Sequence, residues 1–326
     1  MKKQVILGGL LLCSLITYGK SFEIISLGSN GGVIDGNLSA YLLREEKEEN
    51  YIALDGGTIV PGIEKALMKG NLKVKNQDSQ WSDTGYIYRE KIKGYLISHG
   101  HLDHIAGMVI SSTEDTKKNI YGSKNTIEVL VNSVFNWKLW PNFGDKGEGF
   151  KLNQYKYIET NSEDFLPIEN TNYRVKSYPL SHSGDESTMF LVENSGNYIA
   201  CYGDVGPDKV EKSNKLEETF KVLGPLIEKK KLKGIMIEVS YDNSRPDNLL
   251  FGHLTPNWLQ KEMEVLSKYS GGEKNLEGLN IIITHIKPSL KKDENFKEKI
   301  KVELQENNNY KINYFIPDQG DKIILK

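Results

Sequence analysis

The chain has 326 residues, 38% of them hydrophobic and 26% charged, with 42 Lys and Arg against 44 Asp and Glu. This balance excludes a membrane bundle and a globally disordered chain, and the length admits one large layered domain or two. A net charge of −2 argues against binding nucleic acid polymers through the overall field, so any phosphate recognition has to be local.

Lys2 and Lys3 precede an apolar run from Val5 to Ile16, and Thr17 and Gly19 offer small residues for cleavage. This reads as a secretory signal peptide over 1–19, followed by a single domain over 20–326 that is exported across the inner membrane to the periplasm. The run is shorter than the roughly 20 apolar residues of a spanning helix, so no membrane attachment is expected after cleavage. Leu12 precedes Cys13 where a lipoprotein has a small residue. The mature chain would carry 40 basic and 44 acidic residues and a single cysteine, Cys201, so no internal disulfide can hold it.

Phe22 to Leu27, Leu38 to Leu43 and Tyr51 to Leu54 are β-like, the last running into the turn Asp55-Gly-Gly57. Pro61 to Met68 reads as a helix. Gly94 to Ser98 is a short apolar strand, and Ile105 to Ile110 a helix, which puts the residues between them on a strand-to-helix loop. Lys117 to Asn172 has too weak a period to assign and reads as an insertion over that loop. Val175 to Leu180, Tyr198 to Tyr202, Gly234 to Val239 and Leu279 to Thr284 have strand length. Thr255-Pro256 sets an N-cap and a first helical position for a helix through Ser267. Lys287 to Asn309 reads as a solvated helical face. Repeated strand-then-helix units with chemistry at strand ends imply an α/β layered sandwich.

Of the six histidines, His99, His101 and His104 fall within six positions beside Asp103. On a tight loop, imidazoles at alternate positions converge on one cation while Asp103 and His104 face a second, and imidazole nitrogen with carboxylate oxygen suits zinc and similar ions. His182 follows a β-like run, Asp204 lies in Tyr202-Gly-Asp-Val205 after a strand, and His285 ends Ile281-Ile-Ile-Thr-His285.

The run His99-Gly-His-Leu-Asp-His104 resembles the metal loop of the metallo-β-lactamase superfamily, of form His-x-His-x-Asp-His. The resemblance implies a four-layer αββα sandwich in which His99, His101 and His182 bind one divalent ion, Asp103, His104 and His285 bind a second, and Asp204 bridges them. Zinc is the default ion, and manganese or iron also suits the donors. A narrower resemblance covers nearly the whole mature chain. Gly31-Gly32 with Gly36-Asn-Leu-Ser39, the loop His99 to Ser112, Ile237-Glu-Val-Ser240, Gly252-His-Leu-Thr-Pro256 and Thr284-His-Ile-Lys-Pro288 look like class II cyclic nucleotide phosphodiesterases. Thr113 stands where that family usually has another residue before Pro, which touches no proposed ligand.

The narrower resemblance implies hydrolysis of cyclic AMP, and of cyclic GMP as a second candidate, to nucleoside 5′-monophosphates. Two adjacent cations lower the pKa of a shared water, so hydroxide is available near neutral pH. Glu238 polarising His253 would keep a proton donor at the leaving oxygen, as in the similar His-x-Thr element of tRNA 3′-processing nucleases; a plain helix-capping histidine is the bland reading. Arg245 is a candidate phosphate clamp or an exposed loop arginine. Asp55 is a candidate partner for a ligand imidazole or simply an Asp-Gly turn. Trp137, Trp140 and Phe143 are candidates for base stacking or for the core, and Cys201 for a small buried residue. Another dinuclear hydrolase of the same fold, a lactonase or β-lactamase, is disfavoured by Asp204 in place of Cys and by the Glu238–His253 pairing. A non-catalytic metal protein is disfavoured by the intact ligand set. The expected partner is the cyclic nucleotide itself, and a homodimer is compatible with the sequence.

Overall fold

The protein is described by a computed structural model covering residues 21–46, 48–74, 80–292 and 294–326. The leader expected over 1–19 lies outside the described residues.

In chain order, β1 (Phe22–Gly28), β2 (Ala40–Glu45) and β3 (Tyr51–Leu54) lead to α1 (Val60–Met68), the short α2 (Asp83–Tyr86), β4 (Ile92–Leu96) and α3 (Leu102–Ser111). β5 (Lys118–Gly122), α4 (Lys124–Val129) and β6 (Tyr155–Glu159) complete the first half. The second half comprises β7 (Leu166–Pro167), β8 (Arg174–His182), β9 (Asp185–Asn194), β10 (Asn197–Tyr202), α5 (Asp208–Glu211), α6 (Lys215–Glu228) and β11 (Leu232–Glu238). It continues through α7 (Pro256–Tyr269), β12 (Asn280–Thr284), α8 (Phe296–Glu306) and β13 (Asn313–Phe315), and β14 (Lys322–Leu325) returns to the first sheet.

The sheet orders are β14-β1-β2-β3-β4-β5-β6 and β13-β12-β11-β10-β9-β8-β7. In each, one end is parallel and the other antiparallel: β3 to β6 run parallel in the first, and β10 to β13 in the second. Three apolar clusters separate four layers. Phe22, Tyr41, Ile52, Phe190, Ile199 and Ile282 fill the space between the sheets. Ile63, Ile105, Met108 and Ile127 pack helices on the first sheet, and Phe220, Leu223, Trp258, Leu259 and Met263 pack helices on the second. The result is the αββα sandwich.

Strands covered on both faces read as continuous apolar runs, which is why Tyr51–Leu54 has the predicted bounds and Asn280–Thr284 nearly so. The Thr255 hydroxyl accepts from the Trp258 amide and starts α7, which runs two residues beyond the predicted end. The Lys287 to Asn309 segment is not wholly solvated, because α8 buries Ile300 and Leu304. Nor is Lys117 to Asn172 an insertion over the loop: it supplies β5 and β6 to the first sheet and β7 to the edge of the second. Among the described residues no helix is long and apolar enough to cross a membrane.

One acid in α7 gives the fold a pH signature. Burial, reinforced by the negative charge of Asp208, pushes Glu262 up to about 7. Between its unfolded value and 7 the unfolded chain releases this proton while the folded chain keeps it, so stability falls as pH rises, by about 3 kcal/mol at most. Glu262→Gln is therefore expected to leave the melting temperature unchanged near pH 4 and to raise it at pH 8. Parallel melts of the two proteins at both values test this, and an equal gain at both would refute it.

Candidate active site

The parallel strands end on one edge of the sandwich, and loops at strand C-termini are where an open α/β sheet gathers ligand-binding groups. β4 leads into Ser98, His99 and His101; β10 leads to Asp204; β11 ends at Glu238; β12 leads to His285; and His182 closes β8. The histidine cluster is not all loop as expected. His99 and His101 precede α3, whereas Asp103 and His104 sit in its first turn, with His101 at the N-cap.

Seven side chains from both sheets converge. Donor atoms of His99, His101 and His182 form one group, and those of Asp103, His104, Asp204 and His285 a second, all within 4.8 Å of one another inside each group. The Asp204 carboxylate lies between them: Oδ1 is 3.2 Å from His104 Nε2, and Oδ2 is 3.2 Å from His285 Nε2, 3.7 Å from His182 Nε2 and 3.8 Å from His99 Nε2.

The outward nitrogens fix the tautomers. His104 Nδ1 donates to Asp55 Oδ2 at 2.8 Å, His182 Nδ1 to the Gly252 carbonyl at 2.9 Å, and His285 Nδ1 to Ser240 Oγ at 2.9 Å. His99 Nδ1 donates to Ser98 Oγ at 3.0 Å, and that hydroxyl donates onward to Asp55 Oδ2, also at 3.0 Å. His101 Nε2 faces Asp185 Oδ2 at 3.4 Å. With the protons placed outward, His99 Nε2 and His101 Nδ1 present lone pairs to each other at 3.0 Å, a repulsive arrangement that a cation resolves. His104 Nε2 and Asp204 Oδ1 are buried and have no partner besides each other, 3.2 Å apart. Leaving such atoms unpartnered is costly, so the donor set fits two divalent ions.

Burial holds His99, His182 and His285 below the usual imidazole range, whereas the carboxylates of Asp204 and Asp55 outweigh burial at His104 and raise it. Burial opposes the charge of Asp204 and Asp103, but the surrounding histidines outweigh it and keep both carboxyls below the usual carboxylate range.

Local backbone geometry holds these groups. His285 has φ 58° and Asp55 φ 55°, left-handed values that cost a non-glycine residue and persist where surrounding contacts impose them. The Gly32 amide donates to Asp103 Oδ2 at 2.7 Å, and a Cβ on Gly31 would lie 2.5 Å from the His285 ring, so only glycine lets this loop back both ligands.

At the edge of the donor set, Glu238 is fully buried and accepts from His253 Nδ1 at 2.7 Å, the Val205 amide at 3.0 Å and the Ser240 hydroxyl at 2.6 Å. Burial disfavours its charge, and the His253 imidazolium outweighs that and lowers its pKa. Burial likewise disfavours a charged His253, but the Glu238 carboxylate prevails and raises it. The capping role falls to Thr255, and His253 Nδ1 is 3.9 Å from Asp204 Oδ2.

Asp55 is both a turn residue and the acceptor for His104, so its two readings coincide. Cys201 is a buried residue of β10. Arg245 stacks on Tyr241 and Phe251 and donates Nε to the Leu249 carbonyl at 2.8 Å. Phe143 is core, and Trp140 bonds Ser112 at the far end of α3, about 15 Å along the helix from the metal loop. Ser98, Ser240 and Asp185 went unnoticed in the sequence, which offers no signal for a hydroxyl or exposed acid whose importance depends on a distant neighbour.

An αββα sandwich with two groups of imidazole and carboxylate donors at its strand ends is the metallo-β-lactamase fold. The model of class-II cAMP phosphodiesterases matches residues 21–320, and the chain belongs to that family. A 3′,5′-cyclic-nucleotide phosphodiesterase of Aliivibrio fischeri is 46% identical over 99% of this chain and 98% of its own length. A probable 3′,5′-cyclic-nucleotide phosphodiesterase of Yersinia pestis is 42% identical over 98% and 94%. The crystal structure of unliganded yeast PDE1 superposes with a TM-score of 0.78 at 26% identity, over 94% of this chain and 99% of that one.

Proposed function

We propose that this protein hydrolyses the 3′,5′-phosphodiester of cyclic AMP, and of cyclic GMP, to nucleoside 5′-monophosphates at a pair of divalent cations. The observation that carries the reading is the juxtaposition of a seven-residue donor set with the buried Glu238–His253 dyad. His99, His101 and His182 would hold one ion, Asp103, His104 and His285 the other, with Asp204 shared. When bound, the ions supply Lewis acidity and lower the pKa of water.

The chain's own residues do the rest. Glu238 accepts from Nδ1 of His253 and favours its charged form, which would keep a proton available for the departing 3′ oxygen. Ser240 ties this dyad to His285. Asp55 and Ser98 hold the His104 and His99 rings in register for their ions. Zinc suits these donors, as do manganese and iron. The apolar run after Lys2 and Lys3 supports export, and hence a periplasmic site of action.

Product analysis with cyclic AMP and cyclic GMP, with metal content measured on the same sample, tests the reading. The expected result is a 5′-nucleotide from cyclic AMP and two ions per chain; no 5′-nucleotide from either substrate overturns it. His253→Gln is expected to lower kcat by about 10²- to 10⁴-fold, the usual worth of a positioned proton donor, with two ions retained. Undiminished kcat in that variant would remove His253 from the mechanism.

A further inference from the structure

Beside His253 the surface departs from what surrounds the metal ligands. Phe251, two residues before it and so within about 7 Å along the chain, exposes 55% of its area. It also holds φ 52°, a left-handed value that is costly for a bulky side chain and persists only where the surrounding contacts impose it. Phe251 is not alone. The Arg245 guanidinium lies 5.7 Å from its ring and 4.5 Å from the ring of Tyr241, and the Tyr241 ring lies edge-on to His253 at 5.7 Å. Four flat groups therefore run without a break from solvent to the proton donor.

This ladder is anchored. Arg245 Nε donates to the Leu249 carbonyl, the Tyr241 amide donates to the Leu254 carbonyl, and Gly252 packs against His182 and Ser183. Among the described residues the terminal nitrogens of Arg245 make no hydrogen bond. The loop that backs Asp103 and His285 continues into Val33 and Ile34, both half exposed. Of the residues offered in the sequence for stacking, Phe143 is core, Trp140 is held at the far end of α3, and the half-exposed Trp137 donates its amide to the Trp140 carbonyl on that same segment.

We propose that Phe251, Arg245 and Tyr241 form the wall against which the purine ring of the cyclic nucleotide stacks, with Phe251 as the specificity-determining contact. Arg245 thereby supports the base rather than clamping the phosphate. The inference rests on the cyclic-nucleotide reading above. Aromatic stacking of a base is sequence-tolerant because every base has a π-face, so the wall serves adenine and guanine alike.

The test compares cyclic AMP, cyclic GMP and ribose 3′,5′-cyclic phosphate, which has the same diester and no base, in the metal-loaded wild type, Phe251→Ala, Phe251→Trp and Arg245→Met. In Phe251→Ala, the preference for a cyclic nucleotide over the base-free diester should fall about ten- to hundredfold, the usual worth of one stacked base, and the loss should sit in KM. Phe251→Trp should restore it. Arg245→Met should lower the preference for either cyclic nucleotide over the base-free diester severalfold, and this arm remains informative if Phe251→Ala does not fold. A preference unchanged in both Phe251→Ala and Arg245→Met overturns the wall, as does an equal loss on all three substrates. Failure of the wild type to cleave any cyclic nucleotide would instead refute the functional reading.

Discussion

Asp204→Ala is expected to lower kcat/KM for cyclic AMP by about 10³-fold or more without changing the far-ultraviolet circular dichroism. Asp204 is the carboxylate that reaches both donor groups, with oxygens 3.2 to 3.8 Å from His99, His104, His182 and His285. Removing it separates the two ion sites and leaves the centre one negative charge short. Loss of a properly placed cation forfeits several kcal/mol of transition-state stabilisation, at 1.36 kcal/mol for each factor of ten. The fold should survive, because the apolar clusters that hold the four layers do not include this side chain. Elemental analysis should find fewer than two ions per chain. Asp204→Asn, which keeps the shape and one oxygen, should fall between the two. A variant with two ions and the wild-type rate would show that Asp204 does not bridge.

The second large effect concerns stability. Lys118 in β5 is buried against Asp115, whose Oδ2 also accepts from Tyr95 at 2.7 Å and Tyr155 at 2.9 Å. Lys118 further donates to the Tyr88 carbonyl at 2.9 Å, and burial lowers its pKa. A buried pair adds little over an apolar replacement, but breaking it strands one charge and costs about 3–5 kcal/mol. Asp115→Ala should therefore lower the melting temperature by about 5–10 °C. Combining Asp115→Leu with Lys118→Met should recover the part of the loss due to the stranded charge, while the buried Tyr95 and Tyr155 hydroxyls stay without their acceptor. Equal damage from the single and double changes would mean that packing, not charge, is responsible.

The same lysine shows why part of the fold was illegible in the sequence. Lys118 and the tyrosines of β5 and β6 are buried, yet a lysine beside tyrosines and asparagines reads as surface, so Lys117 to Asn172 has no clear period. α8 is hidden for the opposite reason, because two buried residues among many charges mark its inner face. Where a strand is covered on both faces, as at Tyr51–Leu54 and Asn280–Thr284, a bare apolar run was enough. The seven side chains that converge were all named from the sequence, His99 to His104 by their clustering and His182, Asp204 and His285 through the resemblance of the metal loop to the metallo-β-lactamase superfamily. The groups that orient them were not: Ser98 and Ser240 are ordinary residues until the fold sets them against a carboxylate. Phe251 was missed because nothing in a sequence marks an aromatic side chain that the fold leaves facing solvent.

The origin of the donors in two sheets has a consequence for assembly. His99, His101, Asp103 and His104 belong to the first half, and His182, Asp204 and His285 to the second. Neither half alone owns a complete set for either ion. Cations held by this set would therefore bind only where both halves meet, and their retention would report that docking.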